Sequence, residues 1–191
     1  MLTGGVSGAL VICGVALWPR VYAPLAEIVD QAQIARHRQA LAVVLAAIVT
    51  GIAAATVPGL APMAIVCGVM IATDLVYRHL SLPLQALAVV LALVRLSSMS
   101  QPDAVMRLVA GIGLAAIYLV LAFFDRSAGL GDAAALAVVG LVAGLAAPVV
   151  LTVGMFVPIA LVAVGRVGAR EPQPLAGWWL AAMLGAAPLV A

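Results

Sequence analysis

The sequence predicts an all-α, polytopic integral membrane bundle of about eight transmembrane helices, and three observations carry that prediction. Of 191 residues, 66% are hydrophobic and 8% charged, far too little polar surface for a soluble domain of this length. The apolar runs are continuous rather than alternating with period two, which argues against barrel strands. No soluble domain interrupts them: the longest polar stretch is residues 23–38. The chain therefore reads as a single membrane domain over residues 1–191, with no repeat of 20–50 residues in it.

Taken in order, the first apolar run is residues 3–19. It lacks the basic start and small-residue cleavage site of a secretory signal, so it reads as a retained helix. Residues 23–38, APLAEIVDQAQIARHR, follow. Leu25, Ile28, Val29 and Ile34 fall roughly on one helical side and Glu27, Asp30, Arg36 and Arg38 elsewhere, the pattern of an amphipathic helix on the inner leaflet. With the run at 39–57 this makes an N-terminal two-helix region over 1–58. The remaining runs, at 60–77, 82–98, 104–124, 132–147, 149–166 and 174–190, make up the core over 60–190. Several fall short of the roughly 20 residues that cross a bilayer comfortably. The pair 132–147 and 149–166 contains Pro148 and Pro158, and reads either as two spans or as one broken or re-entrant element. Tyr77 and Trp178-Trp179 stand near run ends, as interfacial anchors do. Gly140 and Gly144 have the GxxxG spacing of a close helix crossing, inside the bundle or between protomers, with the internal crossing favoured in an eight-span chain.

All nine basic residues are arginine, and a net charge of +2 leaves no electrostatic footprint for nucleic acid. With the N-terminus outside, Arg20, Arg36, Arg38, Arg78, Arg126, Arg166 and Arg170 collect on the inner side, and Arg95 and Arg107 stay outside. That asymmetry follows the positive-inside distribution. Cys13 and Cys67 lie far apart inside apolar runs and read as small core- or lipid-facing residues, and without a CxxC there is no zinc module.

An ionised carboxylate in hydrocarbon is costly, so intramembrane acids are functional candidates. Glu27, Asp30, Asp103 and Glu171 fall in expected loops, and Asp125 sits beside Arg126, a local ion pair. Asp74 and Asp132 differ: one closes the run at 60–77, the other opens the run at 132–147, and both fall at the inner face. Two carboxylates at one site cannot both ionise easily, so one keeps a proton; the pair then offers a base for water and an acid for a leaving amine. Asp132 alone could equally be a helix cap. Gly129 and Gly131 precede it, in a GxGD string expected about 0.04 times by chance at this composition. Glycines there leave room for an extended peptide.

Two stretches resemble the type IV prepilin peptidases, membrane aspartyl proteases of the GxGD type. In ATDLVYRHLSLPLQALAVVLALV, Asp74, Leu75, Arg78 and Leu80 match that family's first motif; in GLGDAAAL, Gly129, Gly131 and Asp132 match its second. The chain departs from the family at Ser81 and Leu82, where Pro and Asn or Asp are usual, and at Ala134, where a lysine is usual. The cysteine tetrad and large N-terminal loop of bifunctional members are also missing from this sequence, so the resemblance is to a compact, peptidase-only form or a divergent one.

The resemblance implies an endopeptidase of the bacterial inner membrane. It would cut pilin-like precursors at the cytoplasmic face after a glycine, with Asp74 and Asp132 catalytic and no cofactor or metal. Arg78 and His79 would hold substrate or anchor the inner face. The rival expectations are a non-catalytic relative or membrane-complex subunit, which Ala134 and Ser81 suit, and a small proton- or cation-coupled transporter, which paired acids suit.

Overall fold

The structure is a computed structural model that describes residues 5–11, 36–77, 80–124, 130–163 and 175–190. All elements among these residues are helical. Helix α1 covers residues 5–11, α2 Arg36–Thr56, α3 Ala61–Tyr77, α4 Leu82–Leu96, α5 Gln101–Phe124, α6 Leu130–Ala143, α7 Ala147–Ala163 and α8 Leu175–Val190. The amphipathic segment expected before Arg36, and the residues Arg78, His79, Asp125, Arg126 and Gly129, lie outside the described residues.

The breaks between helices are set locally. Val57 precedes a proline and is pushed out of the helical region, to φ −130° and ψ 82°. Pro58 then starts a short 3-10 turn, Pro58–Leu60, that leads into α3. Ser81 is extended, and Pro83 sits in the first turn of α4, where a missing N–H costs nothing. Between α4 and α5 the hydroxyls of Ser97 and Ser98 each donate 2.7 Å bonds to the carbonyls of Val94 and Arg95. Ser100 then exchanges bonds with Asp103, its hydroxyl donating to the carboxylate and accepting from the Asp103 N–H. That reciprocal cap begins α5 at Gln101, three residues before the apolar run.

Three stretches are long and apolar enough to cross a membrane: Pro58–Val76, Gln101–Phe124 and Gly131–Leu161. Ala40–Thr56, Leu82–Leu96 and Leu175–Leu189 are apolar but shorter. The expected count of eight spans is thus not met among the described residues. The reason is length: at 1.5 Å per residue, the 15 residues of α4 reach about 22 Å, against a hydrocarbon core of roughly 30 Å.

The runs expected at 132–147 and 149–166 form one broken element. Helices α6 and α7 meet at the 3-10 turn Gly144–Ala146, where Gly144 has φ +54°. A left-handed residue with a side chain costs about 1–2 kcal/mol, and a Cβ here would also stand 3.1 Å from Cγ of Arg107. Gly144→Ala is expected to lower unfolding stability in detergent by about that amount; an unchanged melting midpoint would contradict the left-handed corner.

Helix α8 is the hub, packing on α2, α3, α6 and α7. Its Leu180, Met183 and Leu184 join Met70 and Ile71 of α3 and Val138, Val139 and Val142 of α6 in the buried core. Helix α5 lies outermost, with only 6% of its span buried, and packs chiefly on α6. Their crossing is close because Gly140 meets Gly111 backbone to backbone. The GxxxG pair therefore divides its work: Gly140 makes the internal crossing and Gly144 makes the corner.

Candidate functional site

Asp74 lies in the last turn of α3 and Asp132 in the first turn of α6. The loop leaving α3 packs on the start of α6: a Cβ on Gly131 would lie 2.9 Å from Nε2 of Gln85 and 3.4 Å from Cβ of Leu80. Gln85 is buried and donates a 2.9 Å bond to the Leu80 carbonyl, which holds that loop in place. Both aspartates therefore stand at the same end of the bundle.

The Asp74 side chain is 6% exposed, and its Oδ2 accepts a 2.7 Å bond from the N–H of Gly177. Gly177 is the third residue of α8, where a backbone N–H has no partner within the helix. Asp74 thus caps α8 from a position 103 residues away in sequence. The glycine makes the approach possible, since a Cβ at 177 would lie 3.0 Å from the same carboxylate oxygen.

Asp132 is half-buried and accepts a 2.7 Å bond from the hydroxyl of Tyr118 on α5. It is the third residue of α6, inside the first turn rather than at the cap position. The Tyr118 ring meets the ring of Trp179 edge to face, centroids 6.3 Å apart. Trp179 is two residues past Gly177, so the first turns of α8 connect the two aspartates: Gly177 binds Asp74, and Trp179 supports the tyrosine that binds Asp132. Each carboxylate also sits at a helix N-terminus, where the exposed N–H groups attract negative charge.

Two expectations change here. The space at Gly131 is filled by Leu80 and Gln85, so this glycine serves close packing rather than an open path for a peptide. Trp179 is buried against Tyr118 rather than placed as an interfacial anchor, and its indole N–H has no acceptor among the described residues. Ser81 is buried where it precedes α4, and Ala134 is half-buried on α6.

The residues that sequence reasoning missed are Tyr118, Gln85 and Gly177; Trp179 reads from the sequence as an anchor and not as a neighbour of the site. Tyr118 carried a signal, because a tyrosine inside an otherwise apolar run needs a partner for its hydroxyl when buried. Tyr118→Phe is expected to cost about 1–2 kcal/mol of stability, the worth of one hydrogen bond to a carboxylate. Unfolding of the two proteins side by side in one detergent checks this, and no difference would mean the bond contributes nothing.

Compared with protein-family models, curated proteins and solved structures, the chain matches none.

Proposed function

We propose that the chain is a multi-pass membrane aspartic endopeptidase that removes the leader of pilin-like precursors, with Asp74 and Asp132 as its catalytic pair. The observation that carries this reading is the joint seating of the two aspartates about the first turns of α8, one on Gly177 and one on Tyr118. The arginine asymmetry favours an orientation with that end toward the cytoplasm, and the resemblance of the two motifs implies a bacterial inner membrane. In the reaction one carboxylate takes a proton from water as it attacks the peptide carbonyl. The other, holding a proton, gives it to the departing amine. Arg78 and Gly129 join the site as supporting residues on the resemblance of their motifs alone.

One observation favours a second reading, a non-catalytic relative or complex subunit. Asp74 already has a structural task in capping α8, and Ala134 stands where the resembling family has a lysine. The deciding experiment is cleavage of a precursor with a short basic leader, a glycine and then a hydrophobic helix, by the purified chain in liposomes. Release of the leader after the glycine is the expected result. Folded protein that leaves the precursor intact would reject the peptidase and leave the second reading.

A further inference from the structure

The carboxylate of an aspartate turns easily about its last torsion, so the place of Asp132 in the first turn of α6 does not by itself fix where its oxygens face. The hydroxyl of Tyr118 on α5 supplies that constraint, donating a 2.7 Å bond to Oδ2. A phenol has one proton to give, so the bond pins Oδ2 and thereby sets the direction of Oδ1.

The tyrosine is held in turn. Its ring meets that of Trp179 at 84°, the edge-to-face geometry that aromatic pairs prefer. Trp179 is buried, and Gly154 of α7 stands against it: a Cβ at 154 would lie 3.0 Å from Cδ1 of the indole and 3.1 Å from the Trp179 Cα. The line of support therefore runs from α7 to the indole, from the indole to the tyrosine, and from the tyrosine to the carboxylate. Two residues before Trp179, the Gly177 N–H binds Asp74. The same stretch of α8 thus seats Asp74 through its backbone and Asp132 through two aromatic side chains.

We propose that Tyr118 and Trp179 are positioning residues for Asp132, fixing the orientation of its carboxylate against the Asp74 that α8 also seats. A reacting group must keep to within about 0.5 Å and about 20° of its productive geometry. One hydrogen bond to a freely turning carboxylate does that only if its donor is itself held, and Trp179 holds it. The proposal rests on the peptidase reading of this same site.

The test is steady-state cleavage of the liposome-embedded precursor over a range of precursor concentrations, by the full chain and by Tyr118→Phe, Trp179→Leu and Trp179→Phe, with melting midpoints measured alongside. In Tyr118→Phe and in Trp179→Leu, kcat is expected to fall by about 10–100-fold and KM to stay within about twofold. Trp179→Phe, which keeps an aromatic edge for the tyrosine, is expected to recover most of the loss. Folded Tyr118→Phe with the parent kcat would overturn the proposal and leave the peptidase standing. A raised KM at unchanged kcat would overturn it too, because the tyrosine would then be a substrate contact. If Tyr118→Phe fails to fold, the two Trp179 variants decide: equal loss in both would show that the ring contact does not orient Asp132. An inert parent chain would overturn the peptidase reading and this proposal together.

Discussion

Asp74→Asn and Asp132→Asn are each expected to abolish leader cleavage, by roughly 10²–10⁴-fold or to background, with little loss of fold. The asparagine oxygen still accepts a hydrogen bond, so Gly177 keeps its partner in one variant and Tyr118 in the other. What each variant loses is the ability to take or give a proton. Residues that act as one unit are not additive, so the double variant is expected to be no worse than either single. Asp74→Ala is different. It removes the cap of α8 and leaves the Gly177 N–H buried without an acceptor, a further loss of about 1–3 kcal/mol. Initial rates on the liposome-embedded precursor, measured beside melting midpoints, separate the two effects. Cleavage surviving in either asparagine variant would remove that residue from the proposed catalytic pair. Equal melting of Asp74→Ala and Asp74→Asn would mean that the carboxylate does not cap α8.

The helix boundaries were legible because they are local. Val57-Pro58, Ser81 with Pro83 and the Ser97–Ser100 turn each interrupt an apolar run with residues that leave or cap helices, and α2, α3 and α4 end within a few residues of the expected points. Helix α5 begins earlier than its apolar run because the Ser100–Asp103 cap draws polar residues into the first turn, and hydropathy does not register capping. The two aspartates were also legible, since a carboxylate beside an apolar run stands out. Their partners were not. Helices α6, α7 and α8 are apolar on nearly every side, so nothing in their sequence marks which face turns toward α3 or α5. The bond from Gly177 to Asp74 and that from Tyr118 to Asp132 depend on the rotation and depth of those helices. Packing of small residues sets both.

The α5–α6 crossing is where that packing is tightest, and Gly140→Ala is expected to destabilise the chain by about 2–3 kcal/mol. A Cβ at 140 would stand 2.5 Å from Cα and 2.6 Å from N of Gly111. Those are backbone atoms, so no side-chain rotation relieves the overlap and α5 must back away from α6. The higher helix propensity of alanine, worth up to about 1 kcal/mol, offsets only part of this. Gly113→Ala is the internal control on α5. Nothing lies within 4 Å of its Cβ position, so the same exchange is expected to be neutral or stabilising by up to about 1 kcal/mol. Unfolding of both variants in one detergent reads the difference, and a shared sign would show that the crossing does not depend on Gly140. The crossing also reaches the site. Tyr118 lies about two turns beyond Gly111 on α5, and Asp132 about two turns before Gly140 on α6, which places them side by side on antiparallel helices. A retreat of α5 at Gly140 draws the Tyr118 hydroxyl away from the 2.7 Å contact it makes with Asp132. Gly140→Ala is therefore expected to impair cleavage as well as folding, although its own Cα lies far from either carboxylate.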